Sequence, residues 1–338
     1  MTVGHQLATS DRPLQDVHDV VMLDLDGVVY VGPDAVPGAV EALGAARAAG
    51  AHLAYLTNNA SRPATEVAEH LRSLGLEGVE DADVITSAQA IARVMAHDLP
   101  AGSVVLLVGG EGLRVPLEEH GLRCVSSLDE GPVAVVQGYH RDVGWAELAE
   151  ASFAIQSGLP WYVSNTDLTI PTPRGVAPGN GSLVQAVRNA TGATPIVAGK
   201  PFRPLFDETT ERVGGARPLM VGDRLDTDID GAIAAGVPSL AVLTGVSTLA
   251  EILAAGPGHR PDFVGADLAA LAVPHPAVTV DAGVARCGDA VARLEGGRIE
   301  IDGAAPHDVS TLRAATALAW STLDASGTEA VPGGTLEP

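Results

Sequence analysis

Lysine is all but absent from this chain: among 338 residues Lys200 alone carries it, and every other permanent side-chain cation is arginine. Basic residues together number 20 against 42 acids, for a formal net charge of −22. That balance argues against nucleic acid as a partner, because a phosphodiester backbone needs a basic footprint. It also means that the overall field repels anions. An anionic substrate must then be drawn in by local groups: a metal ion, one cation, or helix N-termini. Aromatic residues make up only 3%, so a core built from a 46% hydrophobic composition must rest on Ala, Val and Leu. Cysteine is scarce as well. Cys124 and Cys287 make no C-x-x-C or zinc spacing and read as reduced thiols of a cytoplasmic protein. No run approaches the roughly 18 apolar residues of a membrane span, so no membrane insertion is expected. The start of the chain, MTVGHQLATSDRPLQDVHD, has no basic region followed by an apolar one and is not expected to be a secretory signal.

What is present is a repeated alternation of strand and helix patterns. VVMLDLD (20–26) reads as a strand, and VPGAVEALGAARAAG as a helix with Pro37 near its start and Gly50 past its end. AHLAYLTNN is the next strand. SRPATEVAEHLRSLG is a helix, with Ser61 as its expected N-cap, Pro63 in the first turn and Gly75 as its stop. VITS and AQAIARVMAH add a further pair. The alternation predicts a doubly wound parallel α/β core, with ligands at the carboxyl ends of the strands. The length predicts more than one domain. Residues 1–99 and 193–272 are expected to form the core, and 100–192 an inserted α/β domain containing a loop, LTIPTPRGVAPGNGS. Residues 273–338 form a small α+β extension of short strands and one amphipathic helix, ending in a disordered tail.

Four apolar strands end in chemically distinctive residues. The first ends in Asp24 and Asp26, followed by Gly27. The second ends in Thr57, Asn58 and Asn59. AGKP presents Lys200 after a third, and GDRLDTDI presents Asp223, Asp226 and Asp228 after a fourth. Any one alone also fits a turn, a helix cap or an acidic helix start. Together, each after its own strand, they are expected to gather at one edge of the sheet, where a metal ion and the lysine offset the cost of placing acids beside a buried strand. Arginine cannot stand in for a lysine whose compact ammonium must fit among oxygens.

DLDGVVY, LTNNASR, AGKP and GDRLDTDI resemble the four motifs of the haloacid dehalogenase superfamily of phosphohydrolases. The insertion between the second and third motifs resembles the subfamily that includes phosphoglycolate, pyridoxal phosphate and nitrophenyl phosphate phosphatases. VITSAQA, PGNGSLVQAV and GVSTLAEI are similar to it too. With its C-terminal extension, the whole chain is most similar to the actinobacterial glycerol 3-phosphate phosphatases. The resemblance implies a Mg2+-dependent phosphomonoesterase acting on a small phosphorylated metabolite, glycerol 3-phosphate first among the candidates. In that scheme Asp24 is the nucleophile and forms an aspartyl-phosphate. Asp26 protonates the leaving alcohol and then activates water. Gly27 permits the turn between the two acids. The Asp24 carboxylate, the Asp26 carbonyl and Asp223 ligate magnesium. Thr57 and the amides of Asn58 and Asn59 bind phosphoryl oxygens. Lys200 offsets charge on nucleophile and phosphate, and Asp228, with or without Asp226, orients Lys200 or bound water. Residues 164–175 align with the substrate loop of such enzymes. Where some relatives carry a histidine this chain has Ile170, so one polar contact is missing, and Arg174 either reaches an anionic group of the substrate or only covers the loop. A homodimer is the expected assembly at most. The rival reading is a receiver-like module that accepts phosphate without releasing it; D-x-D spacing and the insert both speak against it.

Overall fold

The computed structural model describes residues 6–172, 174–302, 305, 307–334 and 336. The chain divides into two compact units: one holds the residues up to Ala54 and from Gly215 onward, the other Tyr55–Gly214.

The first unit is built on parallel strands. Val20–Asp24 pairs with Pro218–Gly222, which pairs with Ser239–Val242, which pairs with Phe263–Gly265. All five residues of Val20–Asp24 are buried, as expected for a strand covered on both faces. Such a strand must be apolar along its length, and it is, until Asp24. Helix Ala39–Ala48 starts after Gly38 and is closed by Gly50, both in the left-handed region. The extension forms its own sheet. Thr279–Asp281, Val284–Cys287, Ala290–Glu295 and Arg298–Asp302 run antiparallel in succession. Helix Val309–Ser326 lays Ala314, Ala315, Leu318 and Ala319 against Ala285, Ala292 and Ile299 of that sheet. The expected disorder of the tail does not hold for all of it. Val331–Pro332 pairs in parallel with Arg298 and Ile299, and Ala330 and Leu336 are buried. Backbone pairing and an apolar pocket supply there what local composition does not. No helix among the described residues is long and apolar enough to cross a membrane.

In the second unit Tyr55–Thr57 pairs in parallel with Val84–Thr86. Helix Ser87–Asp98 follows, capped by Thr86 in a reciprocal box with Gln89. A five-stranded parallel sheet has the order Ile196–Val197, Trp161–Val163, Ala134–Gln137, Val104–Val108, Arg123–Val125. Three expectations are corrected here. Ser61 is not the N-cap of helix Ala64–Ser73; Pro63 occupies that position. Ser61 turns back instead, its N–H and hydroxyl both donating to Asn59 Oδ1 at 2.9 and 2.7 Å. The stretch expected as a loop contains an antiparallel hairpin, Thr169–Thr172 with Gly175–Pro178, while Pro173 lies outside the described residues. The short strand preceding Lys200 was expected to end at an edge of the core sheet, but Ile196–Val197 is an edge strand of the five-stranded sheet and pairs with Trp161–Val163.

Candidate active site

Asp24 closes its strand with 9% of its surface exposed. Asp26, two residues on, is exposed. Between them the chain turns, and Gly27 takes φ +91°. A side chain there would be strained, and its Cβ would sit 2.7 Å from Asp223 Oδ2. Glycine at 27 thus serves two ends: the turn itself, and close approach to a second acid from the neighbouring strand.

That second acid, Asp223, directly follows Pro218–Gly222 and is 1% exposed. Its Oδ2 accepts from Val246 N–H at 2.6 Å, and its carbonyl accepts from Ser247 N–H at 2.9 Å. Gly245 lies so close that any Cβ would collide with the Asp223 carboxylate. Asp228 is fully buried and sits against Gly222, which likewise leaves no room for a Cβ. Asp228 Oδ2 accepts from Arg224 N–H at 3.1 Å. Carboxylate oxygens of Asp24, Asp223 and Asp228 all lie within 4.8 Å of one another. Three largely buried carboxylates at that separation repel strongly unless a cation lies among them. Hard oxygen donors in this number suit a divalent ion such as Mg2+. The residues present therefore fit the metal expected from the sequence, with one change of cast: Asp228 stands among the carboxylates, where it was expected only as a supporting residue. Asp226 faces outward, its side chain 69% exposed, with both its oxygens on Arg224 at 3.0 and 2.8 Å. It is a surface ion-pair partner.

The second unit carries the remaining expected residues. Thr57 is 3% exposed and its Oγ1 accepts from Asn59 N–H at 3.0 Å. Lys200 is 2% exposed. Asn58 spends its carboxamide within the protein. Its Oδ1 accepts from Lys200 N–H at 2.8 Å, and its Nδ2 donates to Lys200 O at 3.0 Å and to Asp167 Oδ1 at 3.1 Å. The Asn58 carbonyl in turn accepts from Ser87 Oγ and from Asn165 Nδ2, each at 2.6 Å. Asn180 Nδ2 donates to Asn165 O at 2.7 Å. The Asn59 carboxamide oxygen holds Ser61. Both asparagine side chains are thus scaffolding for their neighbours. Asn165, Asp167 and Asn180 were not singled out from the sequence. The run SNTD and the PGNGS turn contain them, but the contacts of Asn165 and Asp167 with Asn58 span more than a hundred positions and leave no local pattern. Ile170 lies in the hairpin, and Arg174 is exposed at its tip.

The sequence pattern of the haloacid dehalogenase-like hydrolases matches residues 21–123, and a second pattern of HAD-hydrolase-like proteins matches residues 197–271. A D-glycerol 3-phosphate phosphatase of Mycobacterium tuberculosis is 43% identical over 317 residues, which cover 91% of this chain and 88% of that protein. This chain belongs to the haloacid dehalogenase-like hydrolases. The crystal structure of the M. tuberculosis glycerol phosphate phosphatase in complex with magnesium superposes with a TM-score of 0.79 at 41% identity, covering 92% of each chain. A 4-nitrophenylphosphatase of Thermotoga maritima gives a TM-score of 0.71 at 30% identity, covering 77% of this chain and 98% of that one. The family expectation drawn from the four motifs therefore holds, as does the α/β fold it implied.

Proposed function

We propose that this member of the family is a Mg2+-dependent phosphomonoesterase that hydrolyses a small phosphate ester, with glycerol 3-phosphate the first candidate. The observation that carries the reading is the cluster of Asp24, Asp223 and Asp228, with carboxylate oxygens within 4.8 Å of one another. The similarity to a glycerol 3-phosphate phosphatase over 91% of the chain supports the choice of ester.

Asp24, Asp223 and Asp228 would hold the metal, together with the Asp26 carbonyl. When bound, the metal lowers the charge on the phosphoryl group and helps to orient it. Asp24 is the nucleophile: its carboxylate oxygen bonds to phosphorus as the bond to the ester oxygen breaks. Asp26 gives its proton to the departing alcohol, then takes one from the water that cleaves the aspartyl-phosphate. The exposure of Asp26 suits a group that must exchange protons with alcohol and water in turn. Thr57 is assigned to a phosphoryl oxygen through its hydroxyl hydrogen, its oxygen being already occupied by Asn59 N–H. Lys200 offsets phosphoryl charge, and Asn58 and Asn59 act behind these two. Phosphoryl transfer depends mainly on positioning and electrostatics, the roles proposed for these groups. The partner is a small phosphorylated metabolite; neither nucleic acid nor a membrane is part of this reading, and any self-association is as a homodimer in the cytoplasm.

A panel of glycerol 3-phosphate, phosphoglycolate, pyridoxal phosphate and nitrophenyl phosphate, assayed with Mg2+ and with chelator, tests the reading. Magnesium-dependent release of phosphate, fastest from glycerol 3-phosphate, is expected. A different best ester would change the substrate while keeping the chemistry. A stable phosphoprotein without turnover would favour the receiver-like module instead.

A further inference from the structure

Residues 244–253 lead from the carboxylate cluster to the C-terminal extension, all within the first unit. Thr244 Oγ1 donates to the Gly27 carbonyl at 2.6 Å. Val246 N–H donates to Asp223 Oδ2 at 2.6 Å, and Ser247 N–H to the Asp223 carbonyl at 2.9 Å. Ser247 Oγ accepts from Leu225 N–H at 3.1 Å. A few adjacent residues therefore fix both the turn after Asp24 and the carboxylate of Asp223. The chain then enters helix Leu249–Leu253, capped by Thr248 and Glu251. Five residues make too few internal hydrogen bonds to hold a helix in place. Its anchor is the extension. Trp320 Nε1 donates to the Ile252 carbonyl at 2.8 Å. Ile252, Leu312 and Trp320 share one apolar cluster, and Leu253 belongs to the core of the extension's sheet. Arg260 lies over the Trp320 ring at 4.9 Å, and both its terminal nitrogens pair with Asp324, at 2.8 and 2.7 Å.

We propose that the C-terminal extension positions the metal cluster, with Trp320 acting through residues 244–252 on the Asp223 carboxylate. This rests on the reading that Asp24, Asp223 and Asp228 hold the divalent ion. One Asp223 oxygen is pinned by Val246 N–H, so the loop sets the direction in which the other points. Magnesium demands near-ideal octahedral geometry, at about 2.0–2.1 Å from each ligand, and so registers small shifts of that oxygen. Partners that orient metal ligands typically change affinity by about 10–100-fold when removed. Trp320 stands further back, and its loss should cost correspondingly less.

The test is calorimetric titration of Mg2+ into the full chain without substrate. Trp320→Phe keeps a buried aromatic ring, removes the donor to Ile252 and trims the indole to a single ring. It should weaken Mg2+ binding at least about threefold, while KM for the ester at saturating Mg2+ stays at the parent value. Asp324→Asn, which loosens Arg260 over the ring, should shift Mg2+ affinity less and in the same direction, and it covers the case in which the tryptophan variant folds poorly. Ile301→Val trims the extension's own sheet and should leave the affinity unchanged. Parent-like Mg2+ affinity in both Trp320→Phe and Asp324→Asn, or equal weakening in Ile301→Val, would overturn the proposal. Absence of Mg2+ binding by the parent chain would overturn the metal reading, and this proposal with it.

Discussion

Asn58 grips Lys200 by its backbone: Oδ1 takes the lysine N–H at 2.8 Å and Nδ2 reaches its carbonyl at 3.0 Å, across 142 positions of sequence. The pair of bonds resembles a rung of sheet supplied by a side chain. It fixes where the sole lysine leaves the main chain, and the remaining Nδ2 hydrogen ties the arrangement to Asp167. Asn58→Ala removes three hydrogen bonds and leaves buried backbone groups of Lys200 unsatisfied. At roughly 1 kcal/mol for each net bond, rising to as much as 3 for a stranded group, about 2–4 kcal/mol of stability should go. Turnover should fall at least about tenfold even where the variant remains folded. Denaturant midpoints and steady-state rates read the two effects separately.

Lys200 itself is 2% exposed. A guanidinium is larger, planar and unable to occupy the space of an ammonium. Lys200→Arg should keep the charge yet lose at least about tenfold in kcat, a loss of about 1.4 kcal/mol in transition-state stabilisation. A wild-type rate would show that the lone lysine is incidental to the chemistry.

Gly245 has no room for a Cβ beside Asp223. Gly245→Ala must push either the carboxylate or the loop aside, at a strain of about 1–3 kcal/mol. The expected signature is a higher Mg2+ concentration for half-maximal activity, with the ester KM at saturating Mg2+ little changed. Activity measured across a Mg2+ series checks it.

The strand ends were legible because each is a local pattern: an apolar run that stops at acids, at hydroxyl and amide, or at a cation. Gly27 was legible as a turn, though its second service, making room for Asp223, needs the neighbouring strand. What the asparagine side chains hold was not legible, for a physical reason. A carboxamide can bind a phosphoryl oxygen or a backbone equally well, and only the distant partner, here Lys200, decides. Ser61 is a parallel case: its composition fits a cap, yet Pro63 starts the helix and Ser61 folds back on Asn59. Asp228 could be called an acid near the site from GDRLDTDI, but its place beside Gly222 depends on the irregular turn Leu225–Ile229. The service of GVSTLAEI to Asp223 leaves no mark in composition at all, because it runs through backbone N–H groups that any sequence possesses.

His275 is fully buried between Ser10 and the Phe263 ring, with Nε2 on the Ala270 carbonyl at 2.9 Å. Burial, aided by the nearby Arg313 cation, pushes its pKa down from 6.5 to about 4. As pH falls below 6.5 the unfolded chain gains a proton that the folded chain refuses until about pH 4. Stability should therefore decline across that window, by on the order of 3 kcal/mol from this residue. His275→Gln should flatten that part of the decline. Urea midpoints of both proteins at pH 7 and pH 4.5 measure the difference, and parallel curves would mean that His275 does not contribute.

In the proposed reaction Asp24 supplies the oxygen that bonds to phosphorus, and rapid acid quench tests that most directly. The full chain is mixed with Mg2+ and glycerol 3-phosphate labelled in its phosphoryl group, stopped during turnover, and digested for mass spectrometry. The label should appear as an acyl phosphate on Asp24, and Asp24→Asn should remain folded with neither label nor turnover. Phosphate release with no acyl phosphate, or with the label on another residue, would contradict the account.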